Sequence, residues 1–297
     1  MKAAKLAGAG IAALVLFAAA AFALAVWLGE RKLARTIDVK VVPVAFAKDP
    51  ASLRLGRYLF EARGCAECHA ADGHGLVFID DASGLYAKSP NITPGPGGVV
   101  AEYSEADWVR TIRHGVNPAG RALISMPSND FNRMSDADLA AVVAYARSLA
   151  PMAGSGAEIH LPLFVKALYG IGIVRDAAEK IDHRLPPLPA VAPGATRDYG
   201  EYVVQMCVGC HRADFGGGPV PGGMPDWPPA PRLAPGPGSV MARYDTPARF
   251  AAMMRSGKRP DGSAVSAVMP FTTLRNLSDT DLDAIYAYLS ALPPAAR

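Results

Sequence analysis

The sequence has almost no excess of charge of either sign. Thirty Lys and Arg stand against 27 Asp and Glu, a formal net charge of +3. A nucleic-acid-binding chain needs a concentrated basic face, and this balance argues against one. Cysteine is scarce too: 297 residues hold four, and they lie so close together in two pairs that structural disulfides within a pair would be unusual. Charged residues make up only 19%, while hydrophobic residues reach 51%, with 29 Gly and 26 Pro. That composition argues against disorder and is too apolar for a purely soluble chain, so a membrane segment is expected.

The segment is at the start. Leu6 to Leu28 carries no charge, with Lys2 and Lys5 before it and Glu30, Arg31, Lys32 and Arg35 after it. About 20 apolar residues suffice to cross a bilayer as a helix, and Trp27 suits the far interface. The Ala-rich run around Ala21 to Ala23 also offers signal-peptidase-like sites. A signal h-region usually spans about 7–15 residues, so the length favours an uncleaved anchor over residues 1–35.

All four cysteines fall into two identical motifs, Cys65-Ala-Glu-Cys68-His69 and Cys207-Val-Gly-Cys210-His211. C-x-x-C-H is the attachment signature of c-type haem. Two thiols on one turn can form thioethers to the haem vinyl groups, and the adjacent imidazole then serves as proximal ligand. A zinc site built from both units would leave the histidines unexplained. A thioredoxin-like redox pair needs a βαβ context that the sequence lacks. The expectation is therefore two covalent haem c groups.

The motifs belong to an internal repeat. Cys65 and Cys207 are 142 residues apart, and the offset persists with a drift of one residue. Pro94-Gly-Pro-Gly97 recurs as Pro235-Gly-Pro-Gly238, Tyr103 as Tyr244, Trp108 as Phe250, Arg113 as Arg255, Gly115 as Gly257, and Met126-Pro as Met269-Pro. Each repeat reads as all-helical. The first helix of each runs over about 50–63 and 197–206, with Asp49 as N-cap of the former. The second opens at Ser104, with Asp107 completing a capping box, or at Thr246 with Pro247, and stops at Gly115 or Gly257. The third starts at Ser135 or Ser278 and ends before Pro151 or Pro293. These signals divide the chain into domains at 48–152 and 194–297, joined by a strap at 153–193 that carries Phe164, Leu168, Tyr169 and Ile173 and is expected to dock.

The sixth iron ligand must come from a loop that folds over the haem. Met126 and Met269 each precede a proline, nine residues ahead of a capped helix, and repeat symmetry selects both. The candidate metal ligands are thus His69, Met126, His211 and Met269. His/Met coordination raises the haem potential and fills both axial positions, which points to electron transfer rather than catalysis on iron. Arg113 and Arg255 are candidate propionate partners. His74, His114, His160 and His183 read as surface or capping residues. A di-haem peroxidase would need one repeat without its Met-Pro loop, and neither lacks it.

Both repeats resemble class I cytochrome c domains. Ser89-Pro-Asn-Ile-Thr-Pro94, Trp108-x4-Arg113-x-Gly115 and Met126-Pro-x7-Ser135-Asp-x-Asp-Leu are similar to the cytochrome c subunits of membrane-bound bacterial alcohol, aldehyde and gluconate-type dehydrogenases, over about residues 48–295. The resemblance implies an all-α fold, with one N-terminal transmembrane helix and two tandem cytochrome c domains. It implies an electron-transfer subunit that takes electrons from a dehydrogenase catalytic subunit and passes them to a quinone, a cytochrome or an oxidase. Covalent haem attachment occurs outside the cytoplasm in such proteins, which places the domains in the periplasm and the anchor in the inner membrane. The chain carries two haem motifs where the best-known members carry three, which leaves its acceptor open. A di-haem subunit of a haem-copper oxidase and a free-standing anchored shuttle are the alternatives.

Overall fold

A computed structural model describes residues 2–221, 223 and 226–293. Residue 1 of the expected anchor and residues 222, 224, 225 and 294–297 of the expected second domain lie outside them. Helix α1 (Lys2–Leu33) is long and apolar enough to cross a membrane over Lys5–Leu33, with mean hydropathy 2.6. The chain then runs without helix or strand over 36–47 and lies on the first domain. Val39 is buried, Val41, Val44 and Phe46 pack on neighbouring core clusters, and the Arg147 guanidinium sits 3.8 Å from the Phe46 ring centre. The sequence reading had left this segment outside the domain.

The first domain contains α2 (Pro50–Ala62), α3 (Cys65–His69), α4 (Glu105–His114), α5 (Ser128–Phe131) and α6 (Asp136–Ser148). Its caps are those the sequence announces. Asp49 accepts from Ser52 N, Ser104 and Asp107 form the capping box, and Gly115 ends α4 with φ +65°. After the strap helices α7 (Leu163–Gly170) and α8 (Ala177–Lys180), the second domain repeats the plan. It has α9 (Arg197–Val203), a 3₁₀ turn over Val204–Cys207, α10 (Val208–His211), α11 (Pro247–Ser256), α12 (Phe271–Leu274) and α13 (Asp279–Ser290).

Each domain is built on one tight crossing, α2 on α6 and α9 on α13. Gly56 makes the first possible, because a Cβ there would stand 1.9 Å from the Ala141 carbonyl oxygen; Gly200 does the same against Ala284, at 2.0 Å. Leu59, Phe60, Leu139 and Val142 fill one core, and Val203, Val204, Leu282, Ile285 and Leu289 the other. Fully burying such a side chain is worth about 1.5–3 kcal/mol, so these faces carry most of the stability. The edge-on rings of Tyr103–Trp108 and Tyr244–Phe250 recur at equivalent positions.

The all-helical expectation holds for the framework with one addition. A three-stranded antiparallel sheet joins β1 (Val77–Asp80), β2 (Tyr86–Lys88) and β3 (Glu158–His160). The outer strand belongs to the strap, so this pairing is between segments some 70 residues apart and has no local signal. It fastens the strap to the first domain. Farther on, α7 packs along the C-terminal part of α1, and Lys32, Arg35, Tyr169, Asp176 and Glu179 form a polar cluster beside it. Asp176 is buried and its Oδ2 lies 2.6 Å from Arg35.

The two domains grip each other reciprocally. Tyr58 on α2 donates to Asp281 and accepts from Ser278 N at the start of α13; Tyr202 on α9 donates to Asp138 and accepts from Ser135 N at the start of α6. Each domain thus completes a helix N-terminus of the other, the arrangement of a pseudo-two-fold interface. Burial and the facing carboxylate push both phenols up to about 12, so each stays protonated and donating.

Candidate haem-binding sites

The first C-x-x-C-H motif is the whole of α3, and the second runs from Cys207, the last residue of the 3₁₀ turn, through α10. The residue after each histidine lies in a region of backbone space that is nearly reserved for glycine: Ala70 at φ +61°, ψ 164° and Arg212 at φ +69°, ψ 163°. Identical strain at two equivalent non-glycine positions marks a conformation that the site requires.

The histidines are oriented alike. His69 Nδ1 lies 3.2 Å from the Pro90 carbonyl oxygen, and His211 Nδ1 lies 3.0 Å from that of Pro231. A carbonyl can only accept, so Nδ1 carries the proton and Nε2 keeps its lone pair, as a metal ligand needs. Burial holds both imidazole pKa values below the ordinary value and keeps the rings neutral. Burial also pushes the Cys65 and Cys207 thiols up to about 12, and raises those of Cys68 and Cys210. Redox C-x-x-C pairs show the opposite shift. All four cysteines are unpaired, and among the described residues no three His, Cys, Asp or Glu side chains group to hold a metal ion.

Ser89 to Thr93 is the frame behind the first site, a role that the sequence reading did not assign. Ser89 Oγ donates to the Cys68 carbonyl and accepts from Leu76 N. Asn91 and Thr93 are fully buried; Asn91 Nδ2 donates to the Met152 carbonyl at 2.8 Å, and Asn91 Oδ1 accepts from Thr93 N. The formal glycosylation sequon at Asn91 is therefore closed. The frame ties the attachment turn to the start of the strap.

Met126 and Met269 are half-buried in irregular loops, each against the core cluster of its own domain. The loops match in detail. The Met126 carbonyl accepts from Ser128 N at 2.9 Å and that of Met269 from Phe271 N at 2.8 Å. Bridges Val116–Ala122 and Lys258–Ala264 pin them at equivalent places.

The residues present fit haem c. Trp108 Nε1 is buried without a hydrogen-bond partner, a donor that a haem carboxylate would satisfy, whereas Phe250 at the equivalent place has no donor to offer. Both arginines also have partners within the chain. Arg113 contacts the Met134 carbonyl and Asp136, and Arg255 contacts the carbonyls of Arg275 and Leu277 and Asp279. Each bolts the second helix to the start of the third, while Arg113 Nε, like Trp108 Nε1, is buried without a hydrogen-bond partner. Of the other histidines, His74 pairs with Asp72 at the surface, His160 lies against Tyr86, and His114 meets His183 of the strap with 2.9 Å between Nδ1 atoms.

Both attachment turns face the opposite domain. Thr273 on α12 donates to Glu67 Oε1 of the first turn at 3.1 Å. On the other side, Asp130 on α5 packs on the second turn so closely that a Cβ on Gly209 would meet its Oδ1 at 2.7 Å.

A family model described as cytochrome C oxidase, cbb3-type, subunit III matches residues 51–145, and one described as cytochrome c matches 198–293. The chain carries two cytochrome c domains. Among curated proteins it is 31% identical to the cytochrome c subunit of the quinone alcohol dehydrogenase of Gluconacetobacter polyoxogenes, over 94% of this chain and 62% of that protein. The corresponding subunit of Gluconobacter oxydans is 28% identical, over 88% and 60%. A diheme cytochrome c-type protein of Cereibacter sphaeroides is 27% identical, over 92% and 97%. The chain spans about three fifths of the length of the dehydrogenase subunits it matches.

Proposed function

We propose that the protein is a membrane-anchored two-haem electron relay, which takes electrons from the catalytic subunit of a dehydrogenase and delivers them to a respiratory acceptor: a quinone, a cytochrome or an oxidase. Residues 1–35 anchor the chain in the inner membrane, 48–152 and 194–297 hold one haem c each in the periplasm, and 153–193 is the strap. Haem c, when bound, supplies a one-electron iron couple. Cys65, Cys68, Cys207 and Cys210 hold it covalently, His69 and His211 present Nε2 to the iron, and Met126 and Met269 close the opposite side. Two filled axial positions leave no place for a substrate, so the chain relays electrons and another subunit performs the oxidation.

The observation that carries this reading is the duplication of the attachment motif, its pinned histidine and its Met-Pro loop, set at an interface where each attachment turn touches the other domain. Such placement favours electron exchange within the chain. The match of residues 51–145 to an oxidase subunit model favours a second reading at the scale of one domain, a di-haem subunit of a haem-copper oxidase. The dehydrogenase relatives match across most of the chain, strap included, and are preferred. Purification of the tagged full-length chain from detergent-solubilised membranes distinguishes them. Two haem c per chain with a large dehydrogenase subunit is the expected result; co-purifying copper and haem b would overturn it in favour of the oxidase.

A further inference from the structure

The strap does more than tie the domains. Helix α7 runs antiparallel to α1 in backbone contact with it. A Cβ on Gly29 would stand 2.1 Å from the Lys166 carbonyl oxygen, and one on Gly170 would stand 2.1 Å from that of Ala25. Two glycines thus bring the helices together at two levels. From Gly29 to Ala25 is four residues, about 6 Å along the axis at a rise of about 1.5 Å per residue. As α7 proceeds, it therefore descends beside the anchor, past Leu28 into the uncharged run.

At the bottom the chain reverses. Ile173 N and Val174 N both donate to the Leu168 carbonyl, and Gly172 takes φ +81° with open space around it. The tip is Ile171-Gly172-Ile173, with Ile171 56% and Ile173 68% exposed. The charges sort by level: Lys166–Glu30, Lys32–Glu179 and Arg35–Asp176 pair on the domain side of the tip. An exposed apolar tip at the height of the anchor's own apolar run continues the lipid-facing surface of α1.

We propose that the α7 turn is a second membrane contact, in which Ile171 and Ile173 insert into the acyl region of the leaflet nearest the haem domains. The bilayer is then held by a hairpin of α1 and α7 rather than by a single helix, and the polar cluster above it fixes the height of the first domain over the membrane. This inference rests on the reading of α1 as a spanning helix.

Nitroxide accessibility on the full-length haem-loaded protein in nanodiscs of phosphatidylethanolamine and phosphatidylglycerol tests both readings separately. With the four native cysteines engaged by haem, single labels are placed at Leu14→Cys, Ile173→Cys and Arg184→Cys, and haem absorbance verifies assembly. The expected result is collision with oxygen several-fold in excess of that with a water-soluble nickel chelate at positions 14 and 173, and the reverse at 184. A label at 173 that behaves like that at 184, with position 14 in lipid, overturns the proposal and leaves the anchor standing. A label at 173 shielded from both reagents overturns it in favour of a protein partner. An aqueous label at 14 overturns the anchor and this inference with it. Ile171→Cys serves if the variant at 173 fails to assemble.

Discussion

The proposed axial ligands, His69, His211, Met126 and Met269, would each act through a single atom, and single substitutions address them. Met126→Ala and Met269→Ala each remove one thioether. Each is expected to abolish the long-wavelength sulfur-to-iron charge-transfer band of one haem and lower that haem's midpoint potential, while the other haem keeps both. Redox titration of each variant followed optically checks this; a variant with an unchanged band and potential excludes that methionine. His114 carries a pH prediction. Burial first, then His183 and the neighbouring Arg113 and Arg110, lower its pKa from 6.5 to about 4. The unfolded chain therefore binds a proton that the folded chain refuses between those two values. The contribution of His114 is complete above about pH 6.5 and is lost as pH falls towards 4, by up to about 1.4 kcal/mol per pH unit. The difference in unfolding free energy between the wild type and His114→Gln, followed by denaturant midpoints across about pH 4–7, should show this slope.

Among elements, the helix crossings are the most demanding. Gly56→Ala and Gly200→Ala would each drive a methyl group into a backbone carbonyl, and overpacking of this kind costs about 1–3 kcal/mol or more. Both are expected to lower the thermal midpoint and the haem yield. Gly194→Ala, whose Cβ would find its nearest atom at 3.6 Å, should be silent in the same calorimetric and absorbance measurements. The capped helices were legible residue by residue, because Asp49, Ser104, Gly115, Ser135, Thr246, Gly257 and Ser278 satisfy local backbone groups within a few residues. The β1–β2–β3 sheet was not legible, because Glu158–His160 finds its partner far along the chain. Arg113 and Arg255 illustrate a second limit. Their recurrence was visible, but their contacts with the loop before the third helix were not, because those join residues about 20 positions apart.

For the whole molecule, the reciprocal tyrosines are the test of the interface. Tyr58→Phe and Tyr202→Phe each remove a hydrogen bond to a carboxylate, an interaction worth about 1.5–3 kcal/mol. Each leaves a helix N-terminus with an unfilled donor. The double variant is expected to unfold in two separated transitions in calorimetry where the wild type shows closer coupling. Scattering should report a larger radius. Retention of one sharp transition and the wild-type radius would show that the latches are dispensable. Neither Tyr58 nor Tyr202 stands out in the sequence, because the direction in which each side chain reaches, into its own domain or across, is not written in local spacing.

The sequence by itself determined the duplication, the two C-x-x-C-H motifs, the capped helix starts and the N-terminal apolar run. All of these rest on local chemistry: fixed spacings, caps and an uninterrupted hydrophobic run. Only the tertiary structure decided that the imidazoles are pinned by proline carbonyls, that the domains cap each other's helices, and that the strap descends beside the anchor. Those features join residues from about 20 to more than 200 positions apart, and their energy comes from backbone approach and burial that no short stretch of sequence encodes.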